Sequence, residues 1–361
     1  MPDPVPFALT RLADLEAGSF DDIIDVRAPS EFSEDHIPGA VNLPVLSDAE
    51  RARVGTVYVQ QSSFLARRMG AALVARNAAR HLEGYLAGKG PRYAPLVHCW
   101  RGGQRSGAFA TILGQIGWRV RVLEGGYRAY RRLVKEVLYD TPFPAPVVLL
   151  DGNTGTAKTD LLHLLAGRGV QVLDLEGLAR HRGSLFGALP GGQPAQKGFE
   201  SALAAQVAKL DPERPVVVEA ESNKIGELLL PPTLWRAMRA APRIAVSAPL
   251  QARAAYLARA YADLSADAEA LAAVIDKLRP FQPARRIAHW QDLAAAARFI
   301  ELASELMAHH YDPRYARSAA RHARGPCTEI EARSLAHDAL PQLADRIHRT
   351  LAQLPRGLPT S

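Results

Sequence analysis

The sequence predicts an α/β protein of two domains, the first built on a parallel sheet and the second ending in a helical C-terminal part. A length of 361 residues is enough for two domains with sizeable cores. Strand and helix patterns alternate along the chain, which is typical of α/β folds. The proline-rich segment 141–146 is a linker by composition. We therefore predict a first domain over residues 1–140 and a second over residues 146–361.

The elements of the first domain follow from short apolar runs and helical spacing. Four runs are predicted as strands, and they lie within residues 22–27, 36–44, 96–99 and 119–123. Residues 29–34 are expected to form a turn or short helix, and residues 62–87 and 104–117 have the spacing of longer helices. The alternation predicts a parallel sheet, with the site at the carboxyl end of a central strand.

Residues 97–106 carry the features of a reactive cysteine. Apolar residues lead into Cys99, a turn with two glycines follows, and a helical pattern begins after it. Backbone N–H groups around the sulfur and a helix N-terminus would lower the thiol pKa from about 8.5 towards roughly 3.5–7.5. A buried structural cysteine is the alternative. We expect Cys99 to be a catalytic thiolate in an anion cradle, with two arginines adding positive charge; the cradle residues are Trp100, Arg101, Gly102, Gly103, Gln104 and Arg105.

Charge is distributed unevenly along the chain, whose formal net charge is +7. Residues 1–63 carry 4 basic and 11 acidic side chains, whereas residues 64–136 carry 14 basic and 3 acidic side chains. The basic segment includes the cysteine loop, which predicts a polyanionic partner presented to the thiol. A solvated basic surface without a partner is the alternative. The candidate contacts with this partner are Arg67, Arg68, Arg131 and Arg132.

Cysteine usage and apolar runs indicate the compartment. The two cysteines, Cys99 and Cys327, lie far apart in unrelated contexts, so we expect no disulfide framework and a reducing environment. The first residues do not read as a signal peptide, and no apolar run approaches the length of a membrane span. We therefore expect a cytoplasmic protein without a membrane partner.

Several short segments together resemble a rhodanese domain: residues 25–27, 31–32, 36–40, the Cys99 loop and residues 124–127. The spacing of His98, Cys99 and Arg105 also fits the loop of cysteine phosphatases, in which an arginine binds phosphate and the thiolate attacks phosphorus. The loop alone does not decide between them, but the upstream segments favour rhodanese. That resemblance implies that Cys99 carries sulfur, or its neighbour selenium, as a persulfide or perselenide.

The second domain opens with a buried strand over residues 147–151, a glycine-bearing loop and a leucine-rich helix. This order is the P-loop pattern, with Ala157 where the last glycine normally stands. Backbone N–H groups would bind phosphate, Lys158 would supply a positive charge, and Thr159 could hold magnesium. If position 157 needs a positive φ, its methyl group would weaken binding, and a decayed structural loop is the alternative. The predicted phosphate-binding residues are Gly152, Asn153, Thr154, Gly155, Thr156, Ala157, Lys158 and Thr159.

A further buried strand over residues 215–221 ends in carboxylates. Glu219 and Glu221 suit the acidic partner of a phosphate-bound metal, although either could instead cap a helix or pair with an arginine. Residues 181–184 and 193–196 lie in a long glycine- and proline-rich loop, and such loops are often functional.

The chain from Leu250 onward is predicted to be mostly helical, with aromatic residues among arginines. This mixture suits RNA, in which rings stack on bases and arginines bind phosphates, and it suits an ordinary helical surface equally well. The residues concerned are Arg285, Arg286, Trp290, Tyr311, Arg314, Tyr315, Arg317, Arg321 and Arg324.

A rhodanese domain followed by a P-loop domain, together with several longer segments, resembles the tRNA 2-selenouridine synthase family. The segments that carry the resemblance are residues 43–48, 54–56, 99–103, 193–200 and 219–226. The resemblance implies action on wobble 2-thiouridine in tRNA, whose sulfur is geranylated from geranyl diphosphate and then displaced by selenium from selenophosphate. It therefore implies tRNA and a selenophosphate-supplying enzyme as partners. No tightly bound cofactor is expected, apart from magnesium at Thr159.

The predicted loops suit these substrates. The P-loop would hold the diphosphate of the prenyl donor without nucleotide hydrolysis, and selenophosphate is an anion suited to the Cys99 cradle. Two alternatives stay open: a rhodanese-type sulfurtransferase coupled to an ATP- or GTP-dependent phosphotransferase, and a non-catalytic RNA-binding protein. No pocket for a prenyl chain can be assigned from the sequence.

Overall fold

The structure, a computed structural model, describes residues 3–322 and 326–354, the side chains of 318–322 excepted. The described chain forms two compact units. One comprises the residues up to Thr141 together with Pro194–Lys209, and the other comprises Pro142–Gln193 and the residues from Leu210 onward. Both units have the mixed α/β architecture with parallel sheets that the sequence predicts, and this prediction is confirmed.

The first unit is built on a parallel sheet of five strands. The strands are β1 (Val5–Phe7), β2 (Ile23–Asp25), β3 (Val41–Asn42), β4 (Leu96–His98) and β5 (Arg121–Leu123). Their order in the sheet is β1-β5-β4-β2-β3, so β4 is central. All residues of β4 are buried, as the central strand of a parallel sheet requires.

Six helices connect or follow these strands: α1 (Asp14–Ala17), α2 (Pro29–Glu34), α3 (Asp48–Gln60), α4 (Ser63–Glu83), α5 (Gln104–Gln115) and α6 (Gly126–Lys135). Helices α4 and α5 agree with the predicted segments. The sequence pattern misses α3 because none of its residues is buried and it has no apolar stripe. Its capping box, Ser47 with Glu50, is a signal that could have revealed its start.

The second unit has its own parallel sheet of five strands. They are β6 (Val147–Asp151), β7 (Gln171–Leu173), β8 (Val216–Glu219), β11 (Arg243–Ser247) and β12 (Cys327–Glu331), with a small hairpin of β9 (Lys224–Ile225) and β10 (Leu228–Leu229) outside it. The order β12-β11-β6-β8-β7 places β6 at the centre. Strand β12 is missing from the prediction because it is mostly exposed and polar, so it carries no apolar run.

Eleven helices lie after the linker in the described chain: α7 (Lys158–Ala166), α8 (Leu175–Ala179), α9 (Gln196–Val207), α10 (Pro232–Ala240), α11 (Leu250–Ala260), α12 (Ala262–Ser265), α13 (Ala268–Asp276), α14 (Ala284–Ala295), α15 (Phe299–Leu306), α16 (Asp312–His322) and α17 (Leu340–Gln353). The helical C-terminal part is thus confirmed. It forms an apolar core of its own, which includes Trp290 and Leu302, beside the core of the sheet. No helix in the described ranges is long and apolar enough to cross a membrane.

Helix α9 packs with the first unit although the segments before and after it belong to the second. The hydroxyl of Tyr139 donates to Glu200 Oε1 at 2.6 Å, and Arg131 forms an ion pair with the same carboxylate. Ser201 Oγ donates to Asp35 Oδ2 at 3.0 Å. These partners are 61 to 166 residues apart in the chain, so no local sequence pattern could have predicted the packing.

Candidate active site

The predicted reactive cysteine follows the central strand of the first sheet directly. Strand β4 ends at His98, and α5 begins at Gln104, so the loop of Cys99 joins the carboxyl end of the strand to the N-terminus of a helix. The cysteine is buried, with 4% of its surface exposed. This is the position at which parallel α/β sheets place their functional groups.

Opposing effects set the pKa of the Cys99 thiol, and the net result is a lowered pKa. Burial raises the pKa, because it disfavours the charged form. Hydrogen bonds outweigh burial: the Ser106 hydroxyl donates to Sγ at 3.2 Å, and the backbone N–H groups of Ser106, Arg101 and Gly103 also lower the pKa. The loop therefore favours the thiolate, which is the nucleophilic form.

The arginines of the predicted cradle do not supply the charge that was expected of them. Arg105 Nη1 forms an ion pair with Glu31 Oε2 at 2.9 Å, so its positive charge is already compensated. Arg101 contributes its backbone N–H, while its side chain is exposed, as is that of Gln104. Backbone N–H groups surround the sulfur as expected, together with one hydroxyl, but the added positive charge expected of Arg101 and Arg105 is not among the effects that lower the thiol pKa.

The turn after β5 closes over the cysteine loop. The backbone N–H of Tyr127 donates to the carbonyl of Cys99 at 2.8 Å, and its ring stacks on Trp100 with 5.2 Å between centroids. Gly126 has a φ of +57°, and a Cβ at this position would overlap the carbonyl of Cys99. Gly102 has a φ of +67° and meets the same turn. Residues 124–127 and the cysteine loop thus form one contact, in which glycine is required because the two backbones approach closely.

A buried ion pair supports this arrangement. Arg27 Nη2 and Asp25 Oδ2 lie 2.6 Å apart, and both side chains are almost wholly buried. The same guanidinium donates to the carbonyl of Asp35 at 2.7 Å and lies 4.0 Å from the centroid of the Tyr127 ring. Removing one partner of a buried pair typically costs about 3–5 kcal/mol, because the other charge is left uncompensated. Asp25 and Arg27 are therefore structural supports of the turn that contacts Cys99.

The four arginines predicted to contact a polyanion differ in their surroundings. Arg67, Arg68 and Arg132 are exposed. Arg131 is only 16% exposed, pairs with Glu200 and also lies 3.8 Å from a carboxylate oxygen of Asp35. Because two carboxylates already compensate its charge, Arg131 is removed from the expected contact surface.

The predicted phosphate-binding loop occupies the matching place in the second unit. It follows the central strand β6 and ends where α7 begins, at Lys158. Lys158 Nζ donates to the carbonyl of Gly152 at 2.8 Å, and Thr156 Oγ1 donates to the carbonyl of Asn153 at 2.9 Å. The loop is therefore curled on itself, and a bound phosphate would replace the Gly152 carbonyl as the partner of Lys158.

Ala157 adopts the backbone conformation that normally calls for glycine. Its φ is +59° and its ψ is +30°, in the left-handed region, and it is buried at the N-cap of α7. A non-glycine residue in this region is disfavoured by about 1–2 kcal/mol. The loop keeps the P-loop shape in spite of the alanine, so the substitution strains the backbone without changing its course.

The other residues of the loop are fixed by the helical part of the same unit. Arg253 Nη2 forms an ion pair with Asp312 Oδ2 at 2.8 Å, and its Nη1 donates to the carbonyl of Thr154 at 3.1 Å. The amide of Asn153 donates to Asp312 Oδ1 at 3.1 Å. Gly155 is packed against Leu257 of α11. This network holds the loop open toward a cavity.

Three carboxylates surround the end of the loop. Thr159 Oγ1 donates to Glu176 Oε2 at 3.2 Å. Burial and the neighbouring charge of Glu221 raise the pKa of Glu176 to about 8; burial and the charges of Glu176 and Asp174 raise that of Glu219 to about 8. The pKa of Glu221 is also raised, chiefly by burial. The sequence analysis found Glu219 and Glu221 but missed Glu176, which lies on the short helix α8.

Glu219 fits the role of a magnesium-binding acid. It is 1% exposed, and neither of its carboxylate oxygens has a hydrogen-bond partner among the described residues. No cluster of three or more His, Cys, Asp or Glu side chains in the described ranges could hold a metal by itself. Magnesium commonly takes only one or two protein ligands and completes its shell with phosphate oxygens and water. Thr159 and Glu219 are therefore the residues that would hold it, where it would neutralise phosphate charge.

A cavity of about 720 Å³ opens in front of the loop. This is large enough for a small-molecule ligand. Besides the loop it is lined by further basic side chains, among them Arg182, from the long loop that the sequence analysis noted, and Arg239, which the sequence analysis did not select. Arg182 forms an ion pair with Asp263, whereas the buried Nε of Arg239 has no hydrogen-bond partner among the described residues. Arg239 is thus a further candidate for binding an anion in this cavity.

The aromatic residues considered for RNA stacking differ in their surroundings. Trp290 is fully buried in the helical core, so it cannot stack on RNA. Tyr315 is half-buried and lines the cavity, and its hydroxyl donates to Asp151 next to the phosphate-binding loop. The side chain of Arg321, and Arg324 altogether, lie outside the described residues.

Comparison with known protein families agrees with this architecture. The family model described as the tRNA 2-selenouridine synthase AAA domain matches residues 145–282. The model of the rhodanese-like domain matches residues 10–133. The two matched segments contain the phosphate-binding loop and the cysteine loop, respectively.

Two curated relatives of this chain are both described as tRNA 2-selenouridine synthase. A tRNA 2-selenouridine synthase from Aeromonas salmonicida is 38% identical over 254 residues, which cover 69% of this chain and 67% of the relative. One from Nitrosomonas europaea is 37% identical over 235 residues, which cover 64% of this chain and 61% of the relative. The chain thus spans about three fifths to two thirds of the length of the curated relatives it matches.

Proposed function

The chain belongs to the tRNA 2-selenouridine synthase family, and from this premise we propose that it converts wobble 2-thiouridine in tRNA to 2-selenouridine in the cytoplasm. The conversion takes two steps, geranylation of sulfur and replacement of the geranylated sulfur by selenium. The observation that carries the proposal is the pairing, in one chain, of a thiolate-stabilising loop with a phosphate-binding loop that opens on a cavity lined in part by lysine and arginine side chains.

The first step uses geranyl diphosphate at the phosphate-binding loop. The 2-thio sulfur attacks C1 of the allylic chain, the C1–O bond breaks, and diphosphate leaves with its electron pair. Backbone N–H groups, Lys158 and Arg239 stabilise the charge that develops on the diphosphate. Magnesium held by Thr159 and Glu219 would neutralise part of it. No nucleotide hydrolysis is needed, because the donor carries its own leaving group.

The second step uses selenophosphate at the cysteine loop. An alkylated sulfur leaves C2 of the uridine more readily than an unmodified one. The selenium of selenophosphate forms the new bond to C2, and the C2–S bond breaks as geranylthiol departs with its electron pair. Water then hydrolyses the Se–P bond, which releases phosphate and leaves 2-selenouridine. Cys99 is the catalytic residue that handles selenium, because its lowered pKa keeps it as a thiolate. A selenophosphate-supplying enzyme is the partner that this step requires.

Transfer RNA is the proposed polyanionic partner. Arg67 and Arg68 are exposed on α4, so reversing both charges should weaken all tRNAs about equally, and wild-type affinity should fall steeply with salt. The matched control is reversal of Arg333 and Arg349, which are exposed in the second unit. Filter binding in which both double variants bind alike would assign Arg67 and Arg68 to a surface that does not contact tRNA.

The experiment that tests the proposed function supplies purified protein with 2-thiouridine tRNA, geranyl diphosphate and magnesium, and then with selenophosphate. No ATP or GTP is present. Mass analysis of the nucleosides should show S-geranyl-2-thiouridine first and 2-selenouridine after the second addition. A product that forms only when ATP or GTP is hydrolysed would favour the nucleotide-dependent phosphotransferase instead.

A further inference from the structure

A second, apolar cavity lies beside the phosphate-binding cavity of the same unit. It is a narrow slot of about 70 Å³. Its walls come from α11, α12 and α15 and from the loop before α9, and its lining residues are Thr154, Ser184, Phe186, Leu257, Ala258, Tyr261, Leu264, Ser265, Leu271, Phe299, Leu302, Ala303, Leu306, Met307 and Tyr311. Of these residues the sequence analysis had noted only Thr154, Tyr311 and, within a long loop, Ser184.

The slot adjoins the phosphate-binding cavity. Thr154, Ser184, Leu257, Tyr261 and Tyr311 line both spaces. Thr154 belongs to the phosphate-binding loop itself, so the slot begins beside the residues that we propose bind the phosphate. The hydroxyls of Ser184 and Tyr261 lie 3.2 Å apart, within hydrogen-bond distance, at this shared border.

The walls beyond the border are hydrocarbon. Phe186, Leu302 and Leu306 are buried, with 8%, 4% and 8% of their surfaces exposed, and they belong to the separate helical core. A nucleotide base needs well-placed hydrogen-bonding groups. Beyond its border the slot has one polar side chain, that of Ser265, and its volume is only about 70 Å³. Its chemistry suits the end of an unbranched or methyl-branched hydrocarbon chain.

We propose that this slot binds the far end of the prenyl chain of an allylic diphosphate whose diphosphate lies on residues 152–159. The proposal rests on the proposed function, because it assigns the chain of the same donor. The volume of the slot admits the tail of the chain rather than its whole length, and the remaining carbons lie in the larger cavity. Each buried methylene strengthens binding about fourfold, so the slot distinguishes prenyl diphosphates by chain length.

The test compares ligand binding by wild-type protein and an Ala303→Leu variant, whose added carbons fill the slot. Dissociation constants are measured by calorimetry for inorganic diphosphate, the five-carbon dimethylallyl diphosphate and the ten-carbon geranyl diphosphate. Wild type should bind geranyl diphosphate at least about tenfold more tightly than dimethylallyl diphosphate. Ala303→Leu should remove most of that difference and leave the affinity for inorganic diphosphate unchanged.

Ala294→Leu is the matched control. Ala294 packs against the same helical core, is also half-buried and does not line the slot. This variant should keep the preference for geranyl diphosphate. The proposal would be overturned if wild type bound the five- and ten-carbon ligands with equal affinity. It would also be overturned if both leucine variants lost the preference for geranyl diphosphate to the same extent. Failure of inorganic diphosphate to bind wild type would instead contradict the diphosphate site of the proposed function.

A second variant keeps the test decisive if Ala303→Leu folds poorly. Phe299→Leu enlarges the slot from the same helix and keeps an apolar side chain at this half-buried position. It should improve the affinity for the fifteen-carbon farnesyl diphosphate, relative to geranyl diphosphate, by severalfold. A merely structural role of Phe299 would lower both affinities together and would leave their ratio as in wild type, which would contradict the proposal.

Discussion

The cysteine loop and the phosphate-binding loop occupy the same place in two different sheets. Each follows the central strand of a five-stranded parallel sheet and leads into the N-terminus of a helix. In the first loop, the positive-φ position that contacts the neighbouring turn is Gly102, and the sulfur already receives its hydrogen bonds. In the second loop, the positive-φ position before the helix is Ala157, and Lys158 donates to the loop's own carbonyl.

The two loops differ in the origin of the negative charge that they stabilise, which is a side chain of the protein in one and a bound ligand in the other. The cysteine loop stabilises an anion that belongs to the chain, so its donors can be satisfied without a ligand. The phosphate-binding loop binds an anion that comes from a ligand. Without that ligand, three carboxylates with raised pKa values lie around Lys158. The same strand–loop–helix device therefore gives a nucleophile in one unit and a ligand-dependent site in the other.

The largest expected effect separates the two loops by chemistry. Cys99→Ser should abolish 2-selenouridine formation, because a serine hydroxyl cannot replace the thiolate in the selenium step. S-geranyl-2-thiouridine should accumulate, because the phosphate-binding loop is intact. Mass analysis of nucleosides measures both products. Cys327→Ser, at an exposed position, is the control and should behave like wild type. Selenation by the Cys99→Ser protein would remove the cysteine from the reaction.

The carboxylates should make the stability of the second loop depend on pH. The folded-state pKa of Glu219 is about 8, against an ordinary 4.5, so the folded protein binds this proton more tightly than the unfolded chain does. Its stabilising effect is complete below pH 4.5 and is lost as the pH rises to about 8. Glu219→Gln should therefore lose less Tm than wild type between pH 5 and pH 9, by a few degrees in scanning calorimetry. The exposed Glu213→Gln is the control, and identical pH profiles for wild type and Glu219→Gln would refute the buried charge.

Removing one donor from the cysteine loop should raise the thiol pKa. The Ser106 hydroxyl donates to the thiolate and stabilises its charged form, so Ser106→Ala should raise the pKa of Cys99. The pH dependence of alkylation by iodoacetamide reports this shift. Thr111→Ala, on the same helix but bonded to the carbonyl of Gly107, should leave the profile unchanged. An unshifted Ser106→Ala profile would mean that the backbone alone sets the pKa.

The smallest expected effect concerns the strained alanine. Ala157→Gly relieves about 1–2 kcal/mol of left-handed strain and loses one buried methyl group, worth about 0.8 kcal/mol, so it should stabilise the protein by up to about 1 kcal/mol. Denaturant unfolding measures the change. Ala344→Gly, in the interior of α17 within the same core, should instead destabilise it. A large gain in ATP or GTP affinity on Ala157→Gly would favour the nucleotide-dependent alternative.

The sequence predicted the parts of both sites that lie along one stretch of chain. Residues 97–106 and 147–159 each contain a strand, a loop and a helix start, so local periodicity and glycine placement are enough to identify them. The sequence analysis raised a positive φ at Ala157 only as a condition, and the structure has this conformation.

Long-range charge pairing was beyond the sequence. Arg105 is adjacent to the cysteine loop in sequence, yet its partner Glu31 lies 74 residues away. In the sequence, Arg131 is one of several arginines in a basic segment. Its ion pair with Glu200 of α9 is apparent only in the structure. Glu176 joins the acidic cluster through folding alone, because no motif connects α8 with β8. Side-chain partners of this kind depend on tertiary packing, which local patterns do not encode.

The most direct test of the division of labour between the two loops is a bypass experiment with the Lys158→Ala protein. Given 2-thiouridine tRNA and geranyl diphosphate, it should form little S-geranyl product, because Lys158 is the loop's main charge for the diphosphate. Given tRNA that already carries S-geranyl-2-thiouridine, together with selenophosphate, it should form 2-selenouridine at close to the wild-type rate. Loss of this second reaction, with tRNA binding intact, would contradict the assignment of the two steps to separate loops.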